Sequence, residues 1–548
     1  MPVVATLTVL PLYAVWALVL ATGGGDLAAQ LAWAGFAARH PGSAYNLSWY
    51  GGAHTANYSL LTPWLMAAFG VRTVSVVAGL SSTWLMALLF VRAEGSRDAR
   101  GGRFGGGDGP WRGLWPALLA AAALWCNVVS GRTTFAVGVA FGLAACLLVQ
   151  GPPRGGPGGA APALGSVRRS RTRLALACVS TALATMASPV AGLFLLVAGA
   201  AYGLDRQWGK AAVLSVPPCA IVAATTLLFP FEGEQPMALG KVWMPLAVCA
   251  ALLLAAPVSP TWRVVRFGSA VYAVGVVLTY CVASPVGTNV ERLLGLAGAP
   301  VLLAALLAPG LDRTRRVVLA VVLLVSVNWL RDKTLDDIEV STVTPAWATH
   351  TDGLVAELRR LGSDRTRVEV VPARNHREAA VLGAYVNNAR GWNRQLDVER
   401  GRLFYDGSFS PGTYRAWLDR WAVGLVVLHD GRPDGPATAE AALVRGGVPW
   451  LERVWSDAHW TVYRVRDAVP LVSAPGVVVR GDDAHLVVRM DRAGSATVRV
   501  AYSPWLRVDG GAGACVGRDG EWVRLTVRRG GEYRLGSSYG WPWRGACG

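Results

Sequence analysis

The feature that most constrains this chain is a succession of apolar runs filling its first 330 or so residues. A membrane helix needs about 20 mostly apolar residues, because a rise of ~1.5 Å per residue must cover roughly 30 Å of hydrocarbon. Such runs stand at 3–22, 71–92, 113–129, 133–150, 174–187, 190–202, 211–229, 237–256, 267–284, 293–307 and 317–329. Several are short, so their ends are soft. The pair flanking Ser188 and Pro189 reads as a tight hairpin or as one broken helix. The first run lacks a basic leading segment and a small-x-small cleavage pattern, so it is expected to remain as a helix. Only 16% of the residues are charged, against about 25% in soluble proteins. From about residue 331 the sequence reads as an ordinary soluble one.

Eleven crossings place alternate loops on opposite sides. One set carries seventeen Lys and Arg residues, among them Arg92, Arg103, Arg169, Lys210, Arg263 and Arg316. The other carries five: Arg39, Arg72, Arg132, Lys241 and Arg292. Cytoplasmic loops hold the excess of positive charge. The pattern therefore predicts a multi-pass protein of the cell (plasma) membrane, with a cytoplasmic N-terminus and an extracytoplasmic C-terminal region. The net charge of +17 is then a topology signal. It forms no basic stripe, and nucleic acid is excluded as a partner. Glycine-rich stretches at 101–109 and 151–165 read as flexible cytoplasmic linkers.

The external loop 23–57 is semi-apolar, and Leu27, Leu31 and Ala34 have helical spacing. A short helix lying in the membrane interface is expected there. The stretch 58–69, with Pro63, is too short to cross and lies flat or re-enters. Beyond 331, strand-like segments at 367–371, 424–428 and 459–465 alternate with helix-like ones at 378–387, 414–420 and 438–445, which predicts an α/β module. From 470 short alternating strands at 476–480, 485–490, 496–502, 522–527 and 532–535 predict a small β-sandwich. The domains expected are 1–331, a helical polytopic membrane bundle of about eleven helices, then 332–469 and 470–548, both extracytoplasmic.

Cys515 and Cys547 both fall in the last domain, and an exported domain permits a disulfide between them; the alternative is two free thiols. Cys126, Cys146, Cys178, Cys219, Cys249 and Cys281 lie in or beside apolar runs, where cysteine acts as a small hydrophobe. No CxxC or Cys/His spacing exists, so a zinc site is not expected.

Candidate chemistry sits on the sparsely charged side. Asp26, Glu232, Glu234 and Glu291 are its carboxylates, serving loop solvation or acid–base work at an outer site. Asp26 follows Gly23, Gly24 and Gly25 directly after the first run. It caps the helix 27–38, or stands where glycine lets the backbone approach a ligand; the two roles can coexist. Arg132, in the turn Ser130-Gly131-Arg132, and Arg292 suit a lipid phosphate, or snorkel to the headgroups. His54 titrates near neutrality, or binds metal, or does neither. Trp49 and Tyr50 stack on a sugar ring or belong to the interfacial aromatic belt.

This layout resembles the GT-C superfamily of membrane glycosyltransferases. The matching elements are the eleven-helix topology, Asp26 with the loop through Tyr58, and the exported tail. Within the tail, 391–397, 403–405, 414–418 and 460–465 resemble uncharacterised bacterial polytopic membrane proteins of the same broad group. The resemblance implies transfer of a sugar from a polyprenyl-phosphate lipid donor to an envelope glycan or protein acceptor, among membrane lipids. Asp26 would be the general base, and Arg132 and Arg292 would hold the donor phosphate. Glu291, His54 and Tyr50 complete the candidate substrate residues. No Asp-x-Asp pair stands in the first loop, so a divalent metal finds no support and the cofactor stays open. The rival readings are a secondary transporter and a non-catalytic envelope scaffold. A transporter would show internal repeats and midplane charges, whereas here charges fall at the ends of runs. An enzyme requires an outward cavity under the first loop, lined by Asp26 and by Arg132 or Arg292.

Overall fold

The computed structural model describes residues 1–98, 113–151, 164–509, 513–543 and 545–547. Helices form at each of the eleven apolar runs. Six are long and apolar enough to cross a membrane: Pro2–Leu20, Val71–Ala93, Thr133–Gln150, Trp208–Leu228, Arg263–Cys281 and Gly287–Leu306. Leu114–Val129, Pro189–Leu204 and Leu239–Ala255 are apolar but shorter. The remaining two runs belong to Leu164–Ala187 and Arg313–Thr342. The chain is an integral membrane protein. The first glycine-rich linker, residues 152–163 of the second, and Arg100, Arg103, Arg112 and Arg154 lie outside the described residues; positions 164 and 165 already belong to the next helix.

The break at 188 is one residue long. Ser188 is extended and Pro189 opens the next helix, where its missing N–H costs nothing. Thr185 lies against Gly192, whose lack of a side chain gives the turn room.

The boundary expected at 331/332 falls inside a helix. Arg313–Thr342 runs on past the apolar stretch, because no Gly or Pro interrupts residues 330–342. Its last turns carry Lys333, Asp337 and Ser341 beneath the soluble modules.

The first of these modules holds a four-stranded sheet ordered Arg367–Val370, Val423–His429, Trp460–Val465, Leu451–Ser456. The first pair is parallel and the others antiparallel. A buried ionic cluster stands beside it. Arg390 donates through Nε to Glu369 Oε1 at 2.8 Å and also pairs with Glu440. Tyr414 donates to the same Glu440 at 2.8 Å. The second module is a sandwich of two sheets. Leu506–Asp509, Gly531–Ser537, Leu486–Met490 and Gly476–Gly481 form one; Ala514–Asp519, Trp522–Val527 and Gly494–Ala501 form the other. Val488, Val498, Val523, Leu525 and Leu535 fill the space between them. Strands Leu506–Asp509, Ala514–Asp519 and Leu451–Ser456 gave no clear signal in the sequence. The first two are short or glycine-containing, and in the third the pattern of burial does not alternate.

Cys515 and Cys547 form a disulfide with a sequence separation of 32 residues. Closing a loop of that size restrains the unfolded chain by about 3–4 kcal/mol. Reduction is therefore expected to lower the melting temperature of the sandwich; an unchanged melt after full reduction would refute this.

The loop after the first membrane helix is enclosed by protein. Its helix, Asp26–Arg39, buries Leu27, Ala28, Ala29, Trp33 and Phe36. Trp33 packs on Trp49 at 5.1 Å and on Tyr58 at 5.6 Å. Arg39 bonds Asp483 of the sandwich at 2.6 Å. The expected helix is present, but of the face assigned to lipid Leu27 and Ala34 pack into the membrane bundle and only Leu31 is exposed, while Ala29, Trp33 and Phe36 meet Ala379, Leu396 and Ala484 of the later modules.

Candidate active site

The glycines before Asp26 make room for protein. Gly23 and Gly25 have φ of +98° and +63°, where a side chain is strained. A Cβ on Gly24 would lie 2.7 Å from the Ser341 carbonyl. The Gly25 N–H donates to Asn375 O at 2.7 Å. Arg377 bonds Thr22 Oγ1 and the Ser341 carbonyl, each at 2.7 Å. Four segments thus meet at one joint: the end of the first helix, the Gly turn, the end of the long helix and the loop 373–378.

That joint aims Asp26 away from its own helix. Gly25 is the N-cap and no side chain bonds there, so Asp26 does not cap. Its carboxylate accepts from Arg132 Nε at 3.0 Å. The turn that carries Arg132 is pressed against the same helix start. Gly131 has φ of +73°, and a Cβ there would meet Leu27 N at 2.6 Å. Arg132 also lies 3.9 Å from Asp337.

Asp26 and Arg132 line a cavity of about 1080 Å³ with Glu291, Arg292, Lys241 and Lys333. Lys333 pairs with Glu291 at 3.7 Å. Arg292 lies over the Phe135 ring at 5.3 Å, and no ion pair is formed by Arg292 or Lys241 among the described residues. Leu193, Leu196, Ile221, Val222 and Leu296 make an apolar part of the wall. Trp392, Asn393, Arg394 and Gln395 form the wall that the α/β module contributes. Trp392 is held between His376, 3.4 Å away, and Arg394, 4.9 Å away. Arg394 is neutralised by Asp434 at 2.9 Å. Since Arg132, Lys241 and Arg292 share a cavity with residues 392–395, their loops and the soluble modules lie at one end of the bundle.

The Asp26 side chain is 32% exposed, but to this protein-walled cavity. Burial pushes its carboxyl up, and the Arg132 and Arg292 guanidiniums more than reverse that. The result lies below the usual carboxylate range, so Asp26 is ionised at neutral pH.

Other candidate residues lie elsewhere. His54 is buried, its Nε2 lies 3.2 Å from Ser503 Oγ, and burial pushes its pKa down to about 3. It is neutral at physiological pH and sits between the first loop and the sandwich. Tyr50 donates to Gly391 O at 3.0 Å and accepts from Asn393 N at 3.2 Å. It therefore braces the 392–395 wall from behind. Cys515 and Cys547 stay within the sandwich. His40, Asp482 and Asp483 come within metal-ligand spacing of one another. Asp483 is already held by His40 at 2.7 Å and Arg39 at 2.6 Å, which reads as an ion-pair network. Lys333, Asp337, Gln30 and the 392–395 wall were not singled out from the sequence. Lys333 and Asp337 did carry a signal, four residues apart on one helix face.

Two solved structures are similar to this chain in overall trace. One is the arabinofuranosyltransferase AftD from Mycobacteria, 14% identical, covering 98% of this chain and 61% of that one at a TM-score of 0.43. The chain thus spans less than two thirds of that protein's length. The other is the Archaeoglobus fulgidus oligosaccharyltransferase tethered to an acceptor peptide, 10% identical, covering 78% of this chain and 68% of that one at a TM-score of 0.42. The likeness is one of chain trace, and no residue role passes from either protein. Residues 473–518 match a domain of unknown function, DUF8823. No curated protein matches the chain.

Proposed function

We propose that the chain is a membrane glycosyltransferase that moves a sugar from a polyprenyl-phosphate donor to a cell-envelope acceptor on the outer face. One observation carries the reading: a single cavity joins an ionised carboxylate, two guanidiniums and an apolar wall. The apolar wall suits the polyprenyl chain, and Arg292 and Lys241 suit its phosphate. The lining cations Arg132, Lys241, Arg292, Lys333 and Arg394 face Asp26, Glu291, Asp337 and Asp434. One positive charge is left over, which matches the single negative charge of a phosphodiester-linked sugar. Glu291 Oε1 has no hydrogen-bond donor and suits a hydroxyl of the donor sugar. The outer-face placement rests on the loop charges and on the soluble modules sharing an end with Arg132 and Arg292.

In the reaction the acceptor oxygen attacks C1 of the sugar, and the bond from C1 to the phosphate oxygen breaks. Asp26 takes the acceptor's proton, for which it must reach hydrogen-bond distance. The leaving phosphate gains a negative charge, which Arg132 and Arg292 stabilise. As the phosphate draws Arg132 toward itself, Asp26 loses the partner that holds its basicity down, so donor binding readies the base.

The test is release of polyprenyl phosphate by purified protein supplied with polyprenyl-phosphate-linked pentoses and hexoses together with cell-envelope extract as the source of acceptor hydroxyls. Arg292→Leu is expected to slow release by about a hundredfold to a thousandfold. Absence of release from every donor in the set would refute the reading.

A further inference from the structure

Two buried acceptors line the cavity without a donor, Gln30 Oε1 and Glu291 Oε1. Each residue is 4% exposed. A buried acceptor left unpaired is costly, and a phosphate, which also accepts, cannot satisfy it. These atoms suit a ligand that brings O–H or N–H groups.

Gln30 lies one helical turn after Asp26, on the same face of the Asp26–Arg39 helix. The same cavity is lined by further amide, hydroxyl and ring groups: Asn57, Tyr58, Asn393 and Gln395. Asn393 spends its Oδ1 on the Leu396 N–H at 3.0 Å, and Gln395 its Nε2 on Pro285 O at 3.1 Å. That leaves the Asn393 amide as a donor and the Gln395 carbonyl as an acceptor. Arg394 is neutralised by Asp434, so this wall presents no free charge. A carboxamide accepts from one hydroxyl and donates to the next.

We infer that Gln30 and the 392–395 wall form a hydroxyl-reading subsite for a neutral glycan acceptor, with Gln30 binding a hydroxyl beside the one that Asp26 deprotonates. This rests on the glycosyltransferase reading and narrows its acceptor to an uncharged sugar. An acidic sugar would bring its charge against Asp26 and Glu291.

The experiment is binding to the full-length protein in detergent, followed by saturation-transfer NMR. The probes are neutral pentose and hexose trisaccharides, a uronic-acid trisaccharide and a hydroxyl-bearing peptide. At least one neutral trisaccharide is expected to bind. Gln30→Met keeps the length of the side chain and removes the orphaned acceptor. It is expected to weaken that binding about tenfold while the melting temperature holds or rises. Undiminished binding to Gln30→Met, preference for the acidic or peptide probe, binding of no probe, or a loss of binding accompanied by a lowered melting temperature would each overturn the subsite. Release of polyprenyl phosphate by the unaltered protein given lipid-linked sugars and cell-envelope extract tests the underlying reading separately.

Discussion

Replacing Asp26 with Asn is expected to lower sugar transfer by about a hundredfold to ten-thousandfold, the range for losing a positioned general base. Asn has the same shape, and its Oδ1 still accepts from Arg132. Arg132 also keeps Asp337, 3.9 Å away, so no cation is left stranded. The helix start is secured by the Gly25 bond to Asn375 and by Arg377, none of which involves the carboxylate. Initial rates and a thermal melt on the same preparation separate the two effects. An unchanged rate would remove Asp26 from the chemistry; a collapsed melt would show that its charge supports the fold.

The second large effect is expected far from the cavity. Arg390→Met should destabilise the α/β module by about 3–5 kcal/mol, because it leaves buried carboxylates without their cation. Glu369 and Glu440 are fully buried, and Asp397 lies 4.0 Å from the same guanidinium. The guanidinium also lies over Phe404 at 4.1 Å, so packing is lost with the charge. Burial raises the Glu369 carboxyl well above the ordinary range, and Arg390 only partly opposes this. The folded module therefore holds a proton that the unfolded chain releases. The contribution of Glu369 to stability is fully present below the unfolded carboxylate pKa, ~4.3, and is lost as pH rises toward the folded value. Glu369→Gln should flatten this slope, which melts across pH 5 to 9 would measure. A stability that rises with pH through that window, or is identical in Arg390→Met, would contradict the account.

Much of the fold was legible because a bilayer imposes a simple rule on sequence. Apolar runs of helical length mark the bundle, and helices occur at all of them. The two soluble modules were visible as a change from continuous apolar runs to short alternating segments. Where pattern was weak, as at Leu451–Ser456, tertiary pairing with Trp460–Val465 made the strand. The end of the last apolar run suggested a domain boundary at 331/332, but loss of hydrophobicity does not end a helix. No Gly or Pro occurs from 330 until Pro345, three residues past the helix end at Thr342.

The candidate site was half legible. Asp26, Arg132, Glu291 and Arg292 stood out because charges are scarce beside membrane helices, and the fold gathers all four at one cavity. His54 and Tyr50 stood out as side chains with chemical potential in an external loop. The Tyr50 hydroxyl is instead bonded to Gly391 and Asn393, and His54 Nε2 to Ser503, away from the cavity.

What the sequence determined alone is the solvent of each region: long apolar runs belong in lipid and an alternating polar tail in water, since transfer energies follow composition. What only the tertiary structure decided is which polar groups meet. Asp26 and Arg132 are separated by 106 positions, and Gln30 shares its cavity with residues 392–395. Ion pairing and hydrogen bonding act over a few ångströms of space, and along the chain they leave no periodicity to read.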